Sequence, residues 1–76
     1  MKAYVLLKIR VGEVGPVVKQ LRRVDGVIEA DMTFGPYDAV AVVQSGDINS
    51  LGNLIYLHIQ PIPGILETLT CLVSGD

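Results

Sequence analysis

Hydrophobic and polar residues alternate along the beginning of the chain, over residues 2–11. Every second side chain from Ala3 to Val11 is aliphatic, and lysine, tyrosine and arginine occupy most of the positions between them. A period of two is that of a β-strand with one face turned towards a hydrophobic core. The chain is therefore predicted to open with a strand.

The spacing changes to that of a helix over residues 13–25. Pro16 is tolerated in a first helical turn, and Gly26 is a typical terminator. The apolar positions recur at intervals of three and four residues, which predicts one buried stripe. They are Val14, Val17, Val18 and Leu21.

Two extended runs follow, residues 27–34 and residues 37–44, and only Gly35 and Pro36 separate them. Such a short connection predicts an antiparallel hairpin. The second run is apolar on both faces between Ala39 and Val43. This strand is therefore predicted to lie in the centre of a sheet.

A second helix and a last strand complete the pattern. Asp47 is a suitable N-cap, the helix is expected to end before Pro61, and residues 65–73 are predicted to form the strand. The inner stripe of the helix is predicted to contain Ile48, Leu51, Ile55 and Ile59. In the strand we expect Leu69, Cys71 and Val73 to face the helices, and Thr68, Thr70 and Leu72 to face the opposite side.

The sequence also contains an internal repeat. Residues 24–30, VDGVIEA, return as residues 62–68, IPGILET, at an offset of 38 positions, which is half of the 76-residue length. Two βαβ halves with right-handed crossovers combine most simply as a four-stranded antiparallel sheet with both helices on one face. The predicted fold is therefore α+β, a ferredoxin-like βαββαβ sandwich.

Composition indicates self-association. Half of the residues are hydrophobic and only 18% are charged, in a chain too short to have a large interior. The face of the sheet without helices is expected to present Tyr4 and Leu6 beside the row formed by Thr68, Thr70 and Leu72. Because such a patch is unfavourable in water, we expect two subunits to pack sheet against sheet.

Several classes of function are not expected. The net charge is -2 and the basic residues are scattered, so no basic patch for binding nucleic acid is predicted. No apolar run is long enough to cross a membrane. The single cysteine, Cys71, is expected to be buried in a protein of the reducing cytoplasm. His58 is the only histidine, so neither a metal site nor a catalytic constellation is predicted, and no cofactor is expected.

The hairpin contains functional groups that a simple turn does not require. Residues 33–38 read Thr-Phe-Gly-Pro-Tyr-Asp, which places an aromatic hydroxyl and a carboxylate beside a turn. The Asp38 carboxylate would suit an ammonium group, and free backbone amides would suit a carboxylate, so a small zwitterion fits this pattern. A simple polar turn is the alternative.

The order of several short motifs resembles that of a known family. The chain opens with AYVLLKI, ends its first helix with VDGV, and has GPYD in the hairpin, AVAVV in the central strand and IPGILETLT at the last strand. Over essentially all 76 residues this pattern resembles the regulation-of-amino-acid-metabolism (RAM) domain. That domain is the C-terminal effector domain of the leucine-responsive regulatory protein/AsnC transcription regulators.

The resemblance implies a dimer formed through the sheets, similar to a dimeric α/β barrel. It also implies a ring of dimers, commonly an octamer, with amino acids bound between them. Asp38 is expected to hold the ligand ammonium or the turn, and Pro36 removes one amide. The ligand-binding residues implied by position are Gly35, Tyr37 and Asp38, with Thr33, Pro36 and the row formed by Thr68, Thr70 and Leu72 as weaker candidates.

Full-length members of the family place a helix-turn-helix domain before this module, whereas here the first strand follows Met1 directly. We therefore expect a single stand-alone domain over residues 1–76 that senses an amino acid and acts as a co-regulator, in mixed assemblies with full-length regulators. Two alternatives stay open. One is an oligomerisation module without a ligand, and the other is a small dimeric ferredoxin-like enzyme, which would need a polar group in its interior.

Overall fold

The computed structural model describes residues 1–75, in which four strands and two helices follow the predicted order βαββαβ. Helix α2 continues without interruption as a π-helical segment, Leu54–Ile59. The strands are β1 (Lys2–Ile9), β2 (Val27–Met32), β3 (Ala39–Gln44) and β4 (Ile65–Leu72), and the helices are α1 (Val14–Leu21) and α2 (Ile48–Asn53).

The sheet is antiparallel throughout, with the strand order β2-β3-β1-β4. The two central strands, β1 and β3, alternate between fully buried and more exposed residues, because both helices cover the same face of the sheet. This ferredoxin-like α+β architecture confirms the predicted fold. The largest fully buried side chains are Leu7, Leu21, Leu51, Ile59, Val5, Val17 and Val43.

The two repeated segments form the same turn in both halves. Gly26 and Gly64 have φ angles of 96° and 101°, a region that side chains other than glycine rarely adopt. Each turn is closed in the same way, since Val27 N–H donates to Val24 O at 3.1 Å and Ile65 N–H donates to Ile62 O at 3.2 Å. The internal repeat is therefore a repeat of helix, turn and strand.

Replacing Gly64 by alanine should destabilise the fold more than the same change at Gly12. A Cβ at position 64 would lie 3.0 Å from Val17 Cγ2, whereas one at position 12 would meet no atom within 4 Å, and both glycines have positive φ. The unfavourable φ costs about 1–3 kcal/mol at either position, and only Gly64→Ala adds a packing clash. Chemical denaturation measures both free energies of unfolding, and equal losses would contradict the packing argument.

The elements are shorter than predicted because loop hydrogen bonds end them early. Strand β1 stops at Ile9 rather than at residue 11, because a turn follows at once, in which Glu13 N–H donates to Arg10 O at 3.0 Å. Helix α1 ends at Leu21, where Val24 N–H donates to Leu21 O. The hairpin strands are shortened as well, because residues 33–38 close a loop of their own.

The predicted orientation of β4 is wrong. Thr68 pairs with Leu7, Thr70 with Val5 and Leu72 with Ala3, and these β1 residues are buried beneath the helices. The row formed by Thr68, Thr70 and Leu72 therefore lies on the helix side. Leu69 and Cys71 pair with Leu6 and Tyr4 on the open face, where Cys71 is exposed rather than buried.

The second helix begins as predicted but packs differently along its length. The Asp47 carboxylate accepts from Ser50 N–H at 2.7 Å, and this backbone hydrogen bond holds the pKa of Asp47 below its usual value. Ile48, which was predicted in the inner stripe, is 53% exposed, and Leu54 is buried instead. The helix then changes register within its π-helical segment, so a single α-helical period does not describe it.

Candidate functional site

The hairpin loop is held by two hydrogen bonds between its ends. Thr33 N–H donates to Asp38 O at 3.0 Å, and Thr33 Oγ1 donates to Tyr37 O at 2.8 Å. Gly35 has a φ of 146°, and a Cβ there would meet no atom within 4 Å. Glycine is therefore favoured here by the backbone angle, and the loop presents an open, exposed tip.

Asp38 fastens the hairpin to the neighbouring strand. Its Oδ2 accepts from Ile9 N–H at 2.7 Å, and its own N–H donates to Leu7 O at 2.8 Å. The carboxylate satisfies a backbone donor at the point where the β1–β4 register shifts, between Lys8 and Ile9. The carboxylate thus ties the end of the hairpin to β1, whereas the turn itself is closed by Thr33.

The second oxygen of the Asp38 carboxylate is differently placed. Within residues 1–75, the structure gives Asp38 Oδ1 no hydrogen-bond partner, and the residue is only partly buried. An ionised carboxylate can accept several hydrogen bonds, so one oxygen can hold Ile9 while the other receives an external donor. The hydrogen bond to Ile9 is therefore compatible with the hypothesis that Asp38 also binds the ammonium group of a ligand.

The side chain of Tyr37 lies close to a positive charge. Its ring is half-buried, and Lys8 Nζ lies 5.8 Å from the ring centroid, within the range of a cation–π contact. In the β1–β4 register the backbone of Lys8 lies opposite that of Glu67. Pro36 is exposed and, as a proline, offers no amide, so the free donors of the tip belong to its neighbours.

The other predicted residues lie at the opposite edge of the sheet. The hairpin joins β2 and β3, whereas β4 lies beyond β1, so one chain does not bring Thr68, Thr70 and Leu72 to the hairpin. Gln60 Nε2 donates to Thr68 Oγ1 at 3.1 Å. Thr70 and Leu72 line an apolar groove of about 280 Å³ together with side chains of α2 and the π-helical segment.

The π-helical segment was not predicted from the sequence. Gln60 N–H donates to Ile55 O at 2.8 Å, five residues back, whereas the equivalent bond of α1 joins Arg22 N–H to Val18 O, four residues back. As a result Tyr56 is 69% exposed although its repeat counterpart, Val18, is buried. That replacement of an aliphatic residue by tyrosine is one signal in the sequence that the two helices differ.

The basic cluster of the first helix does not act as one patch. Arg22 Nε donates to Ala30 O at 2.8 Å, and Arg22 Nη2 lies 3.4 Å from Asp31 Oδ1, so this guanidinium covers the edge of β2. Arg23 lines a shallow cleft of about 480 Å³ between the helices, with Asp25 and the exposed His58. This cleft mixes both charges and does not form an anion site.

Three further observations concern the chain as far as it is described. Residues 1–75 contain no group of three or more His, Cys, Asp or Glu side chains arranged to hold a metal ion. No helix in that range is long and apolar enough to span a membrane. The buried residues of the core are hydrophobic, and no polar or charged side chain is buried in that part of the chain.

A family profile described as the Lrp/AsnC ligand binding domain matches residues 2–75. Together with the fold, this match defines the protein as a ferredoxin-like domain of the ligand-binding class. It belongs to the Lrp/AsnC ligand-binding (RAM) domain family, which confirms the resemblance of its motifs.

Individual relatives agree with this assignment. The chain is 32% identical over 73 residues to the HTH-type transcriptional regulator FL11 of Pyrococcus horikoshii. The aligned residues make up 96% of this chain and 48% of the regulator. The chain thus spans about half the length of this curated relative. The crystal structure of TTHA0845 from Thermus thermophilus is similar as well: the two chains are 28% identical, with a TM-score of 0.93 over 99% of this chain and 94% of that one.

A third relative shares the fold alone. The transcriptional regulator NMB0573 of Neisseria meningitidis, solved as a complex with L-Met, is 14% identical to the chain. Its TM-score is 0.87, over 99% of this chain and 50% of that one.

Proposed function

We propose that the protein is an amino-acid-sensing effector-binding module of the cytoplasm whose copies form a homo-oligomer, and that it acts as a co-regulator of transcription. The observation that carries this proposal is the match of residues 2–75 to a ligand-binding domain family of transcription regulators. A binding role, rather than an enzymatic one, is also supported by a core in which no polar side chain of residues 1–75 is buried.

The first assembly step in this proposal is a two-fold dimer packed sheet against sheet, similar to a dimeric α/β barrel. The open face has an apolar centre, with Lys8, Glu29, Asp31 and Glu67 on its outer strand positions. An apolar centre within a charged rim is the usual anatomy of a protein interface. The central residues are Tyr4, Leu6, Val40, Val42, Leu69 and Cys71.

In the second step dimers form a ring, with an octamer as the proposed size, and a free amino acid binds between them. Asp38 Oδ1 would accept from the ligand ammonium, and amides of the hairpin would donate to its carboxylate. Thr33 and Tyr37 shape this loop, and Gly35 leaves its tip open. The L-Met complex of the Neisseria regulator, which shares this fold, supports an amino acid as the class of ligand.

Control of transcription would then be exerted through other proteins. The net charge of -2 is unsuitable for binding DNA directly, so we propose that full-length regulators of the family supply a helix-turn-helix domain in mixed assemblies. The 32% identity to a regulator of about twice the length supports compatible surfaces.

Titration calorimetry with the twenty amino acids, each at millimolar concentration, tests the sensing function. We expect heat from one amino acid or a few related ones, because the ligand ammonium and carboxylate provide common contacts and the side chain provides selectivity. The N-acetylated form of the same amino acid is the control, and it should not bind because it lacks the ammonium group. Absence of heat from all twenty would contradict sensing and favour an oligomerisation module without a ligand.

A further inference from the structure

Each edge strand of the sheet is contacted by the residue that follows the helix of its own half. Arg22 lies directly after α1, and its Nε donates to Ala30 O of β2 at 2.8 Å. Gln60, its counterpart in the internal repeat, lies after the π-helical segment, and its Nε2 donates to Thr68 Oγ1 of β4 at 3.1 Å. Both edges therefore receive a side-chain donor, but only Arg22 binds a backbone group.

The edge of β2 has its central acceptor occupied. Alternate residues of an antiparallel edge strand turn their N–H and C=O groups away from the sheet, and the bond to Arg22 identifies Ala30 as one of them. The ladder before Ala30 is irregular, because the register shifts between Val27 and Glu29. Arg22 Nη2 lies 3.4 Å from Asp31 Oδ1, so the guanidinium lies along this edge.

The edge of β4 is open by comparison. Val73 N–H donates to Lys2 O at 2.9 Å, so the backbone groups of alternate residues before it, at positions 68, 70 and 72, point away from β1. Among residues 1–75, these outward groups have no hydrogen-bond partner. No charged residue occurs from Thr68 to Val73. An uncharged edge with free backbone groups is a template for pairing with another strand.

We propose that Arg22 prevents the β2 edge from pairing with the β4 edge of a second copy. An added strand would need Ala30 O as an acceptor, and the guanidinium already occupies it. Pairing of β2 with β4 of the next copy is head-to-tail, and where the rotation does not close it continues as one sheet through many copies, here called a ribbon. Arg22 thus keeps the assembly discrete, a role that goes beyond amino-acid sensing and does not depend on it.

The charges of β2 disfavour the other possible pairing, between two β2 edges. If two copies paired antiparallel about Ala30, Glu29 of each copy would lie opposite Asp31 of the other. Like charges directly opposite each other are destabilising. The uncharged β4 edge brings no such repulsion, so it is the strand that the guanidinium has to exclude.

The test removes the guanidinium and measures the size of the assembly. Arg22→Ala frees Ala30 O, and Arg23→Ala is the matched control, because Arg23 is exposed and lines the cleft between the helices. Sedimentation velocity, light scattering and electron microscopy should show particles of one size for the wild type and Arg23→Ala. For Arg22→Ala we expect ribbons and a mass that increases continuously with protein concentration.

A proline in β4 tests which strand is added. Proline is tolerated in an edge strand where its nitrogen faces away from the sheet, and it removes a donor that an added strand needs. Adding Thr70→Pro to Arg22→Ala should therefore restore the discrete assembly, whereas Ser74→Pro, beyond the end of β4, should not. Amide hydrogen exchange at Ala30 should be fast in the wild type and slow in the ribbons.

Two results would overturn the proposal: a folded Arg22→Ala variant with the wild-type mass at every concentration, or ribbons that persist after Thr70→Pro is added. Far-UV circular dichroism at low concentration shows whether each variant is folded. Should Arg22→Ala be unfolded, Arg22→Met repeats the test against Arg23→Met, because methionine keeps an apolar stem at this position but has no donor. Wild-type mass in Arg22→Met would contradict the proposal equally.

Discussion

Replacement of Leu6 by glutamate is expected to convert the protein into a monomer. Leu6 lies on the central strand β1, between Val40 of β3 and Leu69 of β4, at the middle of the open face. Packing two sheets together would bury the new carboxylates without partners, which costs about 3–5 kcal/mol. Since about 1.4 kcal/mol is a factor of ten, the dimer dissociation constant should rise roughly a hundredfold to several thousandfold.

Leu57→Glu is the matched control, because it makes the same chemical change at a residue that is 54% exposed on the helix layer. Sedimentation velocity at micromolar concentration should show a monomer only for Leu6→Glu. Cys71, which lies on the open face opposite Tyr4, provides a second measurement. Its alkylation should be slow in the wild type and fast in Leu6→Glu, and equal rates together with unchanged mass would refute the sheet-to-sheet dimer.

The sequence pattern was most informative where burial is least ambiguous. Strand β1 alternates strictly, and its inner residues, such as Val5 and Leu7, are fully buried. Strand β3 is apolar on both sides because it lies between β2 and β1, with the helices over one face. The repeated turns around Gly26 and Gly64 mark where each helix ends and the next strand begins. The hydrophobic periodicity and these two glycines were therefore enough to predict the order of the elements.

The edge strand β4 could not be oriented by the same reasoning. The helices cover the sheet only partly at this edge, so Thr70 and Leu72 on the helix side are exposed, as are Leu69 and Cys71 on the open side. A strand that is exposed on both faces has no hydrophobic alternation to fix its register. Only the pairing with β1, including the shift after Lys8, determines which row faces the helices.

The motif predicted the hairpin, but it did not predict the contacts of the loop with the rest of the sheet. Gly-Pro-Tyr-Asp indicated an unusual hairpin, and the structure places these residues on one loop. The hydrogen bond from Ile9 N–H to Asp38 joins residues 29 positions apart, so local sequence does not reveal it. The motif therefore encodes the attachment of the loop to β1.

Substitutions of Asp38 should separate those two roles. Asp38→Ala removes the acceptor of Ile9 N–H, and leaving a partly buried donor unsatisfied costs about 1–3 kcal/mol. Asp38→Asn keeps an oxygen acceptor but loses the charge, so its free energy of unfolding should stay within about 1 kcal/mol of the wild type. Chemical denaturation at one fixed protein concentration measures both values, because the stability of an oligomer depends on concentration.

Asp38→Asn, which is expected to keep nearly the stability of the wild type, should still lose affinity for the amino acid. A hydrogen bond to a charged group contributes about 1.5–3 kcal/mol, so Asp38→Asn should weaken binding roughly tenfold to a hundredfold while the fold is kept. Asp25→Ala, which removes an exposed carboxylate, is the control for both measurements. Wild-type stability in Asp38→Ala would refute the attachment to Ile9, and wild-type affinity in Asp38→Asn would show that Asp38 Oδ1 does not hold the ammonium. The two results are independent because one oxygen faces β1 and the other has no partner among residues 1–75.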